Sequence, residues 1–242
     1  MTTNNNWVVA PFEGSAYVKQ LLDFLLPEFI RIFGKEIMKA EKCAVFNDPK
    51  ASCPMLIIGT TPVMIRLAQY STSYWAQTIY QLSHELCHYA IRQRKQDKEF
   101  TLKWLEETMC EAMSLYALEW AFKNWHKCPL SEENPSFSSS LFEYLKEVSS
   151  ETPHNDLRNC VTLDDLRICN ELAECRREGR ICERNILYVC ISKHSEECCC
   201  FGDMYRYLND DKLTIDFDTW LVDNSSELVQ CLSQLQPHII KE

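Results

Sequence analysis

Glycine is scarce in this chain, with five residues among 242. An all-β fold needs many tight turns, in which glycine is a favoured residue. Folds that bind nucleotides through phosphate loops also depend on glycine-rich turns. The scarcity therefore argues against both classes and favours a mainly helical chain. The length is that of one large domain or two small ones.

The fourteen cysteines can indicate disulfides, metal ligands or buried thiols. Positions 1–6 are polar and uncharged, and the first apolar stretch, 21–33, contains three charged residues, so we expect no secretory signal. No apolar window reaches the length of about 18 residues that a membrane span requires. We therefore predict a cytoplasmic protein with reduced, buried thiols and no membrane partner. Whether His194 and 198–200 hold a second metal ion stays open.

The net charge bears on the class of partner. The formal charge is −10, and the one basic cluster, at 92–98, also contains Asp97. Affinity for nucleic acid comes largely from neutralising phosphates, so an acidic chain without a basic patch is a poor candidate. We expect no nucleic-acid partner, and the sequence leaves the oligomeric state open.

The spacing of apolar residues predicts an α+β fold. Apolar positions at helical intervals from Tyr17 to Ile32 predict a first helix that ends near Gly34. Short apolar runs between turn residues predict three strands, at 43–46, 55–58 and 63–68. Helices are expected after that, at roughly 73–94, 99–123, 138–149 and 160–178 and beyond 183, with one clear loop at 129–140.

This order of elements predicts one domain with two sub-lobes. The N-terminal sub-lobe, about 1–95, contains the first helix, the small sheet and the helix at 73–94. The C-terminal sub-lobe, about 96–242, is helical and rich in cysteine.

The predicted helix at 73–94 carries an H-E-x-x-H pattern, His84-Glu85-Leu86-Cys87-His88. Residues four apart lie on one face of a helix, so the two imidazoles can reach one metal ion. Glu85 can then act on a water molecule at that ion. Because the core stripe of the helix lies roughly opposite the histidines, we expect the helix to separate a core from a cleft. The stripe consists of Trp75, Ile79, Leu82 and Leu86.

A catalytic zinc site needs a third protein ligand and an open position. The next predicted helix offers carboxylates, of which Glu107 and Glu111 fall opposite its core stripe. Carboxylates in an apolar helix are costly unless they are paired or bind metal. Glu107 follows His88 after 18 residues, enough for a turn and a returning helix. Glu107 is therefore the preferred third ligand, with Glu106 and Glu111 as alternatives.

These residues resemble the motif of the gluzincin metallopeptidases, in which H-E-x-x-H is followed by a helix carrying E-x-x-x-D/E. The 18-residue gap is like that of the aminopeptidase N type, and W-L-E-E at 104–107 resembles the W-L-N-E stretch of those enzymes. The resemblance covers only about residues 75–120. It implies a zincin-like fold with the small sheet packed on the active-site helix. The implied roles are zinc ligation by His84, His88 and Glu107, general base catalysis by Glu85, and orientation of a ligand histidine by Glu111.

Two departures narrow the resemblance. The segment 58–64 reads I-G-T-T-P-V-M, where the aminopeptidases carry G-A-M-E-N. Positions 91 and 94 hold Ile91 and Arg94, where metzincins have glycine and histidine. We therefore expect an endopeptidase more than an aminopeptidase.

The predicted activity is hydrolysis of a peptide or protein substrate by a zinc-activated water, with Glu85 transferring the proton. The strand at 63–68 is the expected wall of the cleft. The residue that stabilises the oxyanion stays open among His154, His194, Tyr188, Tyr205 and Tyr207. Two other functions remain: a zinc-binding module that recognises a protein segment without hydrolysis, and a zinc hydrolase of a non-peptide amide.

Overall fold

The computed structural model of the chain describes residues 6–95 and 100–240, and the predictions for positions 1–5 and 96–98 lie outside this range. The architecture is α+β, as predicted. The strands are β1 Trp7–Val9, β2 Cys43–Asn47, β3 Met55–Ile57 and β4 Val63–Leu67. The α-helices are α1 Ser15–Phe33, α2 Lys35–Met38, α3 Trp75–Arg94, α4 Lys103–Asn124, α5 Phe137–Ser149, α6 Leu163–Leu172, α7 Ile181–His194, α8 Phe217–Asp223 and α9 Glu227–Ser233.

The strands form one small mixed sheet in the order β1-β2-β4-β3. Strands β1, β2 and β4 run parallel, whereas β3 is antiparallel to β4. Alternate residues of β4 are buried, because successive side chains point to opposite faces of a sheet. The spacing of apolar residues predicted β2, β3 and β4. It missed β1, since three residues are too few to show an alternating pattern.

Helix α1 packs its apolar face into the core, with Leu21, Leu25 and Phe29 almost fully buried. It ends as predicted at Gly34, whose φ of 93° lies in the region that favours glycine. Pro27 lies inside the helix. The α1 helix packs on α3, and thereby backs the helix that carries the H-E-x-x-H pattern.

Helices α3 and α4 form the centre of the molecule and pack against each other. On α3, Ile79, Leu82 and Leu86 of the predicted core stripe are completely buried. Its other neighbours include β3 and β4, so the sheet packs on this helix as expected. The Trp104 indole of α4 donates a hydrogen bond of 2.8 Å to the Leu213 carbonyl, which joins α4 to the C-terminal part.

The C-terminal part departs from the predictions at two places. The predicted loop at 129–140 contains a 3₁₀ turn, Pro129–Ser131, and the first residues of α5. The predicted helix at 160–178 is shorter: α6 begins after Thr162, which forms a capping box with Asp165, and a 3₁₀ turn, Arg177–Arg180, follows it. The segment 129–140 is rich in polar residues, so its sequence predicted a loop instead of the 3₁₀ turn and the start of α5. No proline or glycine directly follows α6, so the sequence predicted a longer helix.

One continuous cluster of buried residues includes members from both predicted sub-lobes. None of the helices in the described ranges combines the length and the apolar character that crossing a membrane would demand.

Candidate metal centre

Three side chains from α3 and α4 converge on one point. The Nε2 atoms of His84 and His88 lie 3.1 Å apart, and each lies 3.3 Å from one carboxylate oxygen of Glu107. The three residues are about 13% exposed and line one cleft, so they can be reached from it. The structure thus brings together the three residues that the sequence predicted as ligands, in a cluster that could hold a metal ion.

The separations fit the requirements of a small cation. Tetrahedral zinc with bonds of about 2.0–2.1 Å places neighbouring donor atoms roughly 3.3 Å apart. The donor set of two imidazoles and one carboxylate is one that catalytic zinc sites use. Across residues 6–95 and 100–240, no other set of three histidine, cysteine, aspartate or glutamate side chains converges in this way. His194 and the cysteines at 198–200 therefore do not form a second cluster of this kind.

The charges of the cluster are strongly coupled. Burial works to lower the pKa of His88, but the carboxylates of Glu107 and Glu106 outweigh it and raise that pKa well above its usual value. Burial works to raise the pKa of Glu107, but His88 and His84 hold it well below its usual value. Glu107 is therefore an anion between two imidazoles, which is the charge state that a metal ligand needs.

Glu85 lines the same cleft and is only 2% exposed. Burial raises the pKa of its carboxyl group, although His84 and His88 act in the opposite direction. A backbone hydrogen bond from Leu56 of β3 also acts to lower it. A carboxylate whose pKa is raised is a stronger base towards a water molecule in the cleft.

A second carboxylate lies behind His88. Oε1 of Glu106 lies 2.7 Å from Nδ1 of His88, and Oε2 accepts a hydrogen bond from the Tyr205 hydroxyl. The same hydroxyl accepts a hydrogen bond of 3.1 Å from the backbone N–H of Leu102. A carboxylate that binds the second ring nitrogen of a ligand histidine fixes its tautomer and orientation. The sequence offered Glu106 only as an alternative ligand.

Glu111, expected from the resemblance in that supporting role, has a different partner. Its Oε1 accepts a hydrogen bond of 2.8 Å from Nη2 of Arg180, and both side chains are about 4% exposed. Its Oε2 is buried without a hydrogen-bond partner among the described residues. Burial raises the pKa of Glu111, although Arg180 acts to lower it. The carboxylate that hydrogen-bonds a histidine of the cluster is thus Glu106.

None of the five candidates for the oxyanion site lines the cleft. Tyr205 donates to Glu106, Tyr188 donates to Glu119, and Tyr207 donates to Asp223. His154 and His194 also lie away from it. Two residues that the sequence analysis did not single out, Tyr80 and Arg177, do line the cleft. Tyr80 lies four residues before His84, so helical spacing could have identified it, whereas the sequence contains no such signal for Arg177.

The cleft has a volume of about 550 Å³. One wall is the segment from Ser52 to Ile58, which includes β3, and α3, α4 and residues near Glu174 and Arg177 supply other sides. The prediction that the strand at 63–68 forms this wall was wrong, because β4 is paired on both sides, with β2 and β3. Strand β3 pairs with β4 alone among the described strands, and its other edge is the one at the cleft.

The fourteen cysteines are all free, and eight of them are buried. Cys87, inside the H-E-x-x-H pattern, is completely buried and packs beside Cys110 of α4. It therefore lies on the core side of α3, away from the cluster.

Comparison with models of known protein families, with curated proteins and with solved structures gives no match.

Proposed function

We propose that this chain is a zinc-dependent metallopeptidase with a zincin-like fold, and that it cleaves peptide bonds within a peptide or protein segment. The observation that carries the proposal is the convergence of His84, His88 and Glu107 in one cleft, with Glu85 beside them. A metal-binding group alone would serve a structural site equally well. Hydrolysis also needs a general base and a place for the substrate. The buried Glu85 next to the first histidine can be the base, and the strand edge at the cleft can hold the substrate.

The three cluster residues would hold the ion, and Glu106 would keep the His88 ring in place. Bound zinc supplies a water of lowered pKa and polarises a carbonyl group. Glu85 would accept the proton of the attacking water and deliver it to the leaving amine. Its burial supports this role, because a carboxylate whose pKa is raised is a stronger base towards the attacking water.

The edge of β3 that is not paired with β4 supports an extended substrate, with the Leu56 N–H on Glu85. A peptide can add to a free strand edge through backbone hydrogen bonds, which place it independently of most of its side chains. Met55 and Ile58 are 45% and 41% exposed along this wall and offer apolar contacts. This arrangement favours a peptide over a small amide, which would need a closed pocket.

The test compares the wild-type protein with Glu85→Gln in a metal analysis and a proteomic cleavage screen. We expect about one zinc per chain in both proteins, and a loss of cleavage of at least about a hundredfold in the variant. Glu143→Gln, which changes an exposed glutamate on α5, is the matched control and should cleave like the wild type.

The alternatives give different results. Zinc binding without cleavage of any peptide, together with capture of a protein segment, would indicate a recognition module. Turnover of acylated small amines without cleavage of peptides would indicate a hydrolase of non-peptide amides. Peptide cleavage that survives Glu85→Gln would show that the proposed mechanism is wrong.

A further inference from the structure

The cleft extends past the metal cluster towards the N-terminal end of α3. Tyr80 lies there, one helical turn before His84, and it is 8% exposed. Its hydroxyl is buried, and the Arg177 guanidinium is a polar group near it. Four residues of helix rise about 6 Å, so this end of the cleft is within one or two residues of a bond held at the cluster.

Arg177 lies beside the Tyr80 hydroxyl at this end of the cleft. Tyr80 and Arg177 both line the cleft, and the Arg177 guanidinium acts to lower the pKa of Tyr80. The Arg177 side chain is 44% exposed and lines the cleft, so a bound molecule can reach it. Its Nη2 atom donates to Oε1 of Glu151, which holds the side chain in position.

Three arginines, Arg177, Arg180 and Arg184, follow one another along the turn before α7 and the first turn of that helix. Their ion pairs involve two carboxylates, Glu111 and Glu151, of which Glu151 is shared between Arg177 and Arg184.

The other two arginines, Arg180 and Arg184, are buried and bind groups inside the protein. Arg184 is completely buried and also donates to the Val148 carbonyl, and Arg180 is 4% exposed and pairs with Glu111. Arg177 is the one of the three that lines the cleft, and its side chain is partly exposed there.

We propose that Arg177 binds a carboxylate of the substrate, with Tyr80 forming the wall beneath it, so that the cleft selects peptides with a carboxylate near the bond to be cleaved. A guanidinium matches a carboxylate in shape and can bind it through two parallel hydrogen bonds. The carboxylate is that of an acidic side chain or that of the chain terminus. This inference rests on the proposed peptidase function and specifies its substrate class.

The test uses two series of fluorescent peptides. The first has glutamate or glutamine at each position within two residues of the cleaved bond, and an amidated C-terminus. The second has no acidic side chain and ends in a free carboxylate or in an amide. For the wild type, we expect the acidic member of a pair to be cleaved with a kcat/KM roughly tenfold to a hundredfold higher. A preference confined to one series identifies the source of the carboxylate.

Two variants assign the preference to Arg177. In Arg177→Gln, the ratio of kcat/KM between the acidic peptide and its neutral partner should fall to about one. Arg176→Gln is the matched control, because Arg176 is its neighbour and lines a different cavity. The wild-type preference should also weaken as sodium chloride is raised, which gives a measurement that needs no variant. A preference that Arg177→Gln retains, or that salt leaves unchanged, overturns the proposal.

The design separates this proposal from the peptidase function. If the wild type cleaves both members of each pair equally, the carboxylate site is wrong and the peptidase function stands. If the wild type cleaves no peptide, the peptidase function is wrong. The Kd of the same peptides for the zinc-loaded protein then decides whether Arg177 binds a carboxylate. An Arg177-dependent preference in Kd supports the carboxylate site, and equal Kd values overturn it.

Discussion

The Nδ1 atom of His88 lies 2.7 Å from the Oε1 atom of Glu106, and Tyr205 donates to the other oxygen of that carboxylate. With Nδ1 engaged in this contact, Nε2 is the nitrogen left to face His84 and Glu107. Once the ring has lost its second proton, as metal binding requires, the contact selects the tautomer in which the lone pair of His88 points into the cluster. Glu106 directly precedes Glu107 on α4. This one helix therefore supplies both a candidate ligand and the carboxylate that orients His88.

We expect Glu106→Gln to weaken zinc binding by about tenfold to a hundredfold, which is the usual effect of removing a carboxylate behind a ligand histidine. The glutamine amide is neutral, so it no longer raises the basicity with which the His88 imidazole binds the metal ion. Competition with a chromogenic chelator measures the affinity. Glu143→Gln should bind zinc as the wild type does, and equal affinities for all three proteins would contradict the role of Glu106.

Arg180→Ala should lower the free energy of unfolding by about 3 kcal/mol or more. The substitution leaves the buried Glu111 carboxylate without its ion-pair partner, and its second oxygen has no hydrogen-bond partner among the described residues. Urea unfolding measures the change. Arg176→Ala, in which an exposed arginine is removed, should stay within about 0.5 kcal/mol of the wild type. If Arg180→Ala has the same free energy of unfolding as the wild type, the ion pair between Arg180 and Glu111 does not contribute to stability.

Zinc should stabilise the wild type and not His84→Ala. Binding at a concentration a hundred times Kd adds about 2.7 kcal/mol to the unfolding free energy, which raises the Tm of a chain of this size by roughly 5–10 °C. Thermal unfolding after chelation, with and without added zinc, measures the shift. His126→Ala, which changes an exposed histidine, should keep the full shift. A shift that His84→Ala retains would place the ion elsewhere.

The stability should fall in acid partly through Glu119, which joins α4 to α7. Burial works to raise the pKa of Glu119, but hydrogen bonds from Lys123, Ser192 and Tyr188 outweigh it and lower the pKa below its usual 4.5. A carboxyl group with a lowered folded-state pKa contributes stability above its unfolded pKa and loses it as pH falls through the folded value.

Urea unfolding of the wild type and of Glu119→Gln over a pH series measures this contribution. The difference between the two proteins should be constant near neutral pH and shrink as pH falls below about 4.5. A difference that does not change with pH would show that the ionised form of Glu119 has no part in holding the two helices together.

The amino-acid sequence determined the local features. The apolar periodicity predicted α1, α3 and α4, and helical spacing predicted that His84 and His88 share one face of α3. These features depend on residues within one or two turns of each other, where the geometry of the helix leaves few alternatives. The same spacing correctly placed Ile79 and Leu82 in the core.

Tertiary structure decided which carboxylate of α4 meets which partner. Glu106, Glu107 and Glu111 are all candidates on one helix, and a rotation of α4 would exchange their roles. That rotation is set by packing between distant residues, such as the hydrogen bond from Trp104 to Leu213, 109 residues away. The strand at the cleft was decided in the same way, because β3 occupies the edge through its pairing with β4 and not through any property of its own sequence.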